Sequence, residues 1–217
     1  MSEYLSNRVD KNQIMYNWNM AYVNYCDGGS HASNADVSYA GKILYFRGVH
    51  NRNGVIDTLM RTKGMKTASE IVISGCSAGG LGVLLGLDDM AARIRTWNSS
   101  TTVKGLVDSG FFLDYTHGGT DYDSERKYQE ALTSDNRLDY SAAMKNVYKF
   151  MGISAGAHPG CVKAALAEGK SDDRCIFGKY LAPHIETPMF ILQVLCLCII
   201  VIVIKLMKFS IVHIASI

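Results

Sequence analysis

The pentapeptide Gly75-Cys76-Ser77-Ala78-Gly79 has the G-x-S-x-G form in which a serine hydroxyl can act as a nucleophile. Such a hydroxyl attacks only when a base removes its proton, and the attack builds an oxyanion that needs donors already in place. A sharp strand-to-helix turn answers both needs. It lifts the serine out of the sheet and sets a helix N-terminus beneath it, with small residues two before and two after to avoid collision. Gly75 and Gly79 are those small residues, Ser77 is the candidate nucleophile, and the backbone N–H of Ala78 is the candidate oxyanion-hole donor. The alternative is that Ser77 only caps a helix on a glycine turn.

The flanking sequence decides which elements position this motif. Glu70 to Ser74, with the run Ile71-Val72-Ile73, has the β-branched content of a strand buried on both faces. Gly75 to Gly80 is a glycine-rich corner, and Leu81 to Ile94 has the apolar spacing of a helix. Strand, tight turn and helix follow in the order an elbow requires, which favours the nucleophile reading. Downstream, Val103 to Val107 is a strand ending at Asp108-Ser109-Gly110, Leu138 to Met151 and Cys161 to Glu168 are helices, and Thr187 to Leu192 is a buried strand.

Upstream, Tyr16, Trp18, Met20, Tyr22, Val23 and Tyr25 alternate roughly with polar residues, which predicts a half-buried strand from Met15 to Tyr25 and a turn over Cys26 to Ser30. Ile43 to Phe46 is a short strand, and Asn53 to Gly64 a helix with Gly64 as its stop. The polar stretch from Gly118 to Leu138 reads as a surface excursion or lid. Strands alternating with helices predict the α/β class, with a mostly parallel sheet covered on both faces by helices.

At 217 residues the chain suits one large domain. A net charge of +2 gives no reason to expect nucleic acid as a partner. The six cysteines are scattered, without paired spacing beside histidines, so no metal site is expected. Cys161 and Cys175 bracket a short charged stretch and form a candidate disulfide in an oxidising compartment; spacing alone leaves the pairing open. The first residues lack the basic start and apolar core of a secretory signal.

Composition changes at residue 193, dividing residues 1–192 from a hydrophobic tail, 193–217. Met189 to Ile204 holds only Gln193 as a polar interruption and ends at Lys205 and Lys208. Three readings compete: a transmembrane helix giving membrane contact, a core strand that runs on, or aberrantly translated sequence. The last is taken here, because the change falls directly after Ile191-Leu192.

Several ordered blocks then carry a resemblance. Tyr16-Asn17-Trp18-Asn19, Tyr25-Cys26-Asp27-Gly28, Leu44-Tyr45-Phe46-Arg47-Gly48, Gly75 to Leu81, Asp108 to Asp114 and Tyr180 to Pro188 are together similar to the pectin acetylesterase family, to which the Notum carboxylesterases belong. The resemblance spans about Asn17 to Leu192. It implies an α/β-hydrolase-like fold, a Ser-His-Asp triad, no metal or other cofactor, secretion, and hydrolysis of an acyl ester, acetyl above all, on an acylated polysaccharide or an acylated protein. Of the machinery, only Ser77 and Ala78 carry over residue by residue.

The family's Gly-Gly-Trp-Cys-like segment, which adds oxyanion donors, is expected upstream of this chain, and the run from Val194 stands where the triad acid would follow. Asp108 is a replacement acid or, the preferred reading, a structural residue near the pocket floor. His31, His50, His117, His158, His184 and His213 are all read as surface or packing residues. Two functions from different classes follow. The first is a serine carboxylesterase acting through Ser77; the second is a catalytically inactive fragment or membrane-tethered, non-enzymatic member without triad acid and histidine.

Overall fold

The computed structural model describes residues 5–115, 140–195 and 198–202. Its first elements are β1 (Ala35–Tyr39) and β2 (Lys42–Phe46), an antiparallel hairpin in which Tyr39 faces Lys42. The two residues between them, Ala40 and Gly41, have φ of 49° and 75°. A two-residue loop with both positions left-handed matches the twist of paired strands. β1 carries Asp36 and Ser38, which hide it from a hydropathy pattern.

Helix α1 (Gly48–Thr62) buries Ile56 and Met60 and ends just before Gly64, whose φ of 76° is a left-handed helix stop. The frame of the molecule follows: β3 (Glu70–Cys76), α2 (Ala78–Trp97), β4 (Thr102–Asp108), α3 (Tyr140–Phe150), α4 (Pro159–Ala167), β5 (Met189–Leu195) and β6 (Cys198–Ile202). The sheet order is β3-β4-β5-β6. β3, β4 and β5 pair in parallel, and β6 returns antiparallel to β5. Parallel neighbours need a crossover, which α2 provides between β3 and β4.

Strand alternation splits the sheet into two faces. Ile71, Ile73, Val103, Val107 and Ile191 fall on one, packed in the same two cores as Leu81, Leu84, Leu87, Met90 and Ile94 of α2. Gly105 lies on this face because Leu87 Cδ2 would stand 2.7 Å from a Cβ there. Each such Leu or Ile contributes about 1.5–3 kcal/mol by leaving water. Val72, Ser74, Lys104, Leu106 and Phe190 alternate onto the second face and are half-exposed or exposed. Within the described residues the helical layer lies on the first face.

A smaller helical lobe, made of α3, α4, the short turns Ile153–Gly156 and Asp172–Ile176 and the single helical turn Gly178–Leu181, adds Tyr148, Ile153, Ile176, Phe177 and Leu181 to the core around α2. Cys161 of α4 and Cys175 are joined by a disulfide, with Cα atoms 6.0 Å apart.

Two sequence expectations are corrected. Residues 15–25 form turns and irregular backbone, with Tyr22 76% exposed. Alternation yields a strand only where a neighbour supplies ladder hydrogen bonds, and no described strand pairs with this segment. The apolar run after Met189 is not a membrane helix over its described part: residues 189–195 and 198–202 are paired strands, and among the described residues no helix is long and apolar enough to cross a membrane. An uninterrupted Ile/Val/Leu run suits a buried strand as well as a helix, and pairing with β4 decides between them. β5 runs unbroken across the change in composition at residue 193. The predicted lid, His117, His213 and residues 203–217 lie outside the described residues.

Candidate active site

Ser77 sits between the last residue of β3 and the first of α2, with φ 54° and ψ −118°. A non-glycine residue pays for that conformation in strain, of order 1–3 kcal/mol, and keeps it only when its surroundings leave no alternative. Those surroundings are backbone. The Ser77 N–H donates to the Asp108 carbonyl at the end of β4 at 2.8 Å, and the Ser77 carbonyl accepts the first helical bond from Leu81 at 2.9 Å.

The glycines explain why the turn closes so tightly. A Cβ at Gly75 would stand 2.3 Å from the carbonyl carbon and oxygen of Gly79. One at Gly80 would lie 2.9 Å from both the Asp108 carbonyl oxygen and Gly110 Cα, and one at Gly110 would lie 2.4 Å from the Gly80 carbonyl carbon. At Gly79 a Cβ meets nothing within 4 Å. The steric demand therefore falls on Gly75, Gly80 and Gly110, and Gly79 matters through its backbone, against which Gly75 rests. Gly110 and Gly80 were not singled out by the five-residue motif; their signal was the second glycine of Gly79-Gly80 and the Asp108-Ser109-Gly110 strand end.

Ser77 is exposed. Ala78, Gly79 and Gly80 form the first turn of α2, whose N–H groups have no carbonyl of the helix to bond, and no acidic residue occupies that turn. The positive end of the helix is left to stabilise negative charge near Ser77. Burial, and then the Asp108 carboxylate, push the pKa of the neighbouring Cys76 thiol up, which favours its protonated form.

A turn from upstream is seated against the same helix end. Asp27 is 5% exposed; it accepts Ser33 Oγ–H at 2.6 Å and the His31 N–H at 3.2 Å, while Ser33 Oγ accepts the Gly48 N–H at 3.0 Å. The Ser30 carbonyl oxygen and His31 Cδ2 lie 2.6 Å and 3.6 Å from where a Cβ of Gly82 would stand. The buried Asp27 network, invisible to motif reading, is what places residues 28–34 beside α2.

Asp108 accepts Ser109 Oγ–H at 3.0 Å, and its own carbonyl takes the Ser77 N–H; no described histidine bonds to it. Its observed contacts are those of a local structural residue. His50 bonds Asn34. His158 lies over the middle of α2, where its Nδ1 accepts the Gly160 N–H and its Nε2–H reaches Asp88 at 2.9 Å, and His184 stacks against it at 6.2 Å between ring centroids. None of the described histidines hydrogen-bonds Ser77. Among the described residues no group of His, Cys, Asp or Glu is arranged to hold a metal. The depression lined by Asp57, Asp89, Ala92, Arg93, Thr96 and Trp97 belongs to the opposite end of α2.

A family model described as Pectinacetylesterase matches residues 1–196. The chain is similar to pectin acetylesterase 7 of Arabidopsis thaliana, with 29% identity over 192 residues that cover 88% of this chain and 43% of that protein. It is also similar to palmitoleoyl-protein carboxylesterase notum2 of Xenopus laevis, with 32% identity over 190 residues that cover 87% of this chain and 36% of that protein. The solved structure of the Wnt deacylase Notum from Drosophila superposes with a TM-score of 0.68 at 23% identity, over 88% of this chain and 50% of that one, and shows that the fold is shared. The chain thus spans about two-fifths of the curated relatives it matches.

Proposed function

Because the chain belongs to the pectinacetylesterase family and has the α/β-hydrolase fold, we propose that it is a serine carboxylesterase in which Ser77 is the nucleophile and the Ala78 N–H an oxyanion-hole donor. The observation that carries this reading is the strained Ser77 backbone, φ 54° and ψ −118°, held by glycine-to-backbone contacts at the head of a helix. Strain of this kind persists where a side chain has to be presented, and a helix cap needs none of it.

In the proposed reaction Ser77 Oγ bonds to the carbonyl carbon of an acyl ester as its proton passes to a general base. The tetrahedral oxyanion is stabilised by the Ala78 N–H and the α2 N-terminus. The alcohol departs with a proton, and water then releases the acid from the acyl-enzyme. The proposed substrates are acylated polysaccharide or acylated protein, after the relatives' names, with an acetyl ester preferred. The Cys161–Cys175 disulfide supports an oxidising, extracellular compartment.

A fluorophosphonate probe tests this directly. Labelling that mass spectrometry maps to Ser77, and that Ser77→Ala abolishes along with a loss of about a thousandfold or more in p-nitrophenyl acetate hydrolysis, is expected. Folded protein that stays unlabelled, or is labelled elsewhere, overturns it.

A further inference from the structure

His31 lies against Gly82, one turn into α2, with Cδ2 3.6 Å from where a Cβ of Gly82 would stand. Residues 78, 79 and 82 share one stripe of the helix, and a helical turn advances about 5.4 Å. Gly82 lies four residues, about 6 Å along the axis, from Ala78, so the imidazole is set against the stripe of α2 that begins at the Ala78 N–H. Tyr25 flanks it: the two rings are 5.2 Å apart between centroids and tilted by 49°, and Tyr25 is 47% exposed.

The backbone holds this pair in place at a cost. Gly28, Ser30 and His31 all have left-handed φ, of 71°, 53° and 55°. The buried Asp27 fixes the turn through Ser33 and the His31 N–H, and the Ser30 N–H donates to the Tyr25 hydroxyl at 3.1 Å. Two adjacent non-glycine residues in that conformation are strain gathered where the loop meets α2 at Gly82.

We propose that Tyr25 and His31 form a sugar-binding platform beside Ser77 and act as specificity-determining residues for a carbohydrate ester. This rests on the reading of Ser77 as the nucleophile. Flat ring faces receive the C–H face of a pyranose, and polar ring tips meet its hydroxyls. The tips are suited to this. Burial pushes the His31 pKa down, against Asp27 and together with Arg52, so at neutral pH the ring offers one donor and one acceptor rather than a charge. A long acyl chain asks for an enclosed apolar pocket, whereas here Tyr25 is exposed, His31 is half-buried, and both rings carry polar edges.

The test is binding of an acetylated trigalacturonate to the full chain carrying Ser77→Ala, followed by saturation-transfer NMR, so that no turnover is needed. Saturation of the pyranose ring protons is expected. Adding His31→Ala or Tyr25→Ala should weaken binding about tenfold, while His31→Phe, which keeps a flat face, should retain most of it.

In the Ser77 protein, Tyr25→Ala should lower kcat/KM on the acetylated saccharide about tenfold and leave p-nitrophenyl acetate within about twofold. The platform is overturned if the saccharide does not bind, if both alanine variants bind it unchanged while retaining the parent's circular dichroism, or if Tyr25→Ala slows the two esters equally. Absence of fluorophosphonate labelling would instead overturn the nucleophile and leave the binding result standing.

Discussion

The two halves of α2 are packed by opposite means. From Ser77 to Gly82, where only Leu81 sends a large side chain into the core, the glycines pack backbone on backbone: Gly80 against Gly110 and the Asp108 carbonyl, Gly82 against the Ser30 carbonyl. From Val83 to Ile94 they are side chain on side chain, Leu84, Leu85, Leu87, Met90 and Ile94 filling the space over the sheet. Apolar packing yields by degrees, since neighbours relax around a lost methyl group. A carbonyl held 2.9 Å from an absent Cβ has nowhere to go. The first kind of packing fixes a direction in space for one side chain; the second supplies stability without needing that accuracy.

The contrast is sharpest when each half is altered by one residue. Gly80→Val places a branched side chain against three backbone atoms, from Asp108, Gly110 and Gly75, each 2.9 Å from the new Cβ. A loss above about 4 kcal/mol is expected, enough to abolish a cooperative thermal transition in circular dichroism. A Gly80→Val protein that melts like its parent would break the comparison. Leu84→Ala, at a fully buried position of the other half, should lose about 2–5 kcal/mol and still unfold cooperatively in urea, with its fluorophosphonate labelling at Ser77 intact.

Between these lies Asp88, which ties the middle of α2 to the start of β5. It accepts the N–H groups of Glu186 and Thr187, each at 2.8 Å, and His158 Nε2–H at 2.9 Å. Burial alone would raise its pKa, but the Glu186 and Thr187 donors, with His158, outweigh burial and hold it below the ordinary aspartate value. The sign follows. A depressed folded pKa contributes stability that is complete above the unfolded aspartate range and is lost as pH falls through the lower folded value. Asp88→Asn keeps one accepting oxygen and should cost about 1–3 kcal/mol at pH 7. The difference between variant and parent in urea melts should shrink toward pH 2; a constant difference would mean that the charge contributes nothing.

How much of this was legible in the sequence follows the same division. The β3-turn-α2-β4 unit was readable because its signals are local: Ile71-Val72-Ile73, the glycines and the leucine spacing all lie within forty residues. The helix stop at Gly64 was readable for the same reason. Asp88 was not, since its partners are 70 to 99 residues away and an aspartate on a helix looks like a solvated charge. Tyr16 to Tyr25 misled because a period of two records a tendency to pair and says nothing of a partner. The run after Met189 misled in the other sense, since hydropathy is the same for a membrane helix and a buried strand, and only the register with β4 separates them.

The smallest expected effect separates presentation from stability at Ser77 itself. Glycine tolerates the left-handed region that Ser77 is forced to occupy, so Ser77→Gly relieves strain in the folded state. It also loosens the unfolded chain, which offsets part of that gain. A net rise of up to about 1 kcal/mol in chemical denaturation is expected, together with loss of fluorophosphonate labelling and of ester hydrolysis. If Ser77→Gly instead falls well below the parent in stability, the seryl side chain holds the turn together and its conformation is a structural requirement. A gain in stability with loss of labelling means that the fold carries this serine at a cost, and presenting its hydroxyl at the head of α2 accounts for that cost.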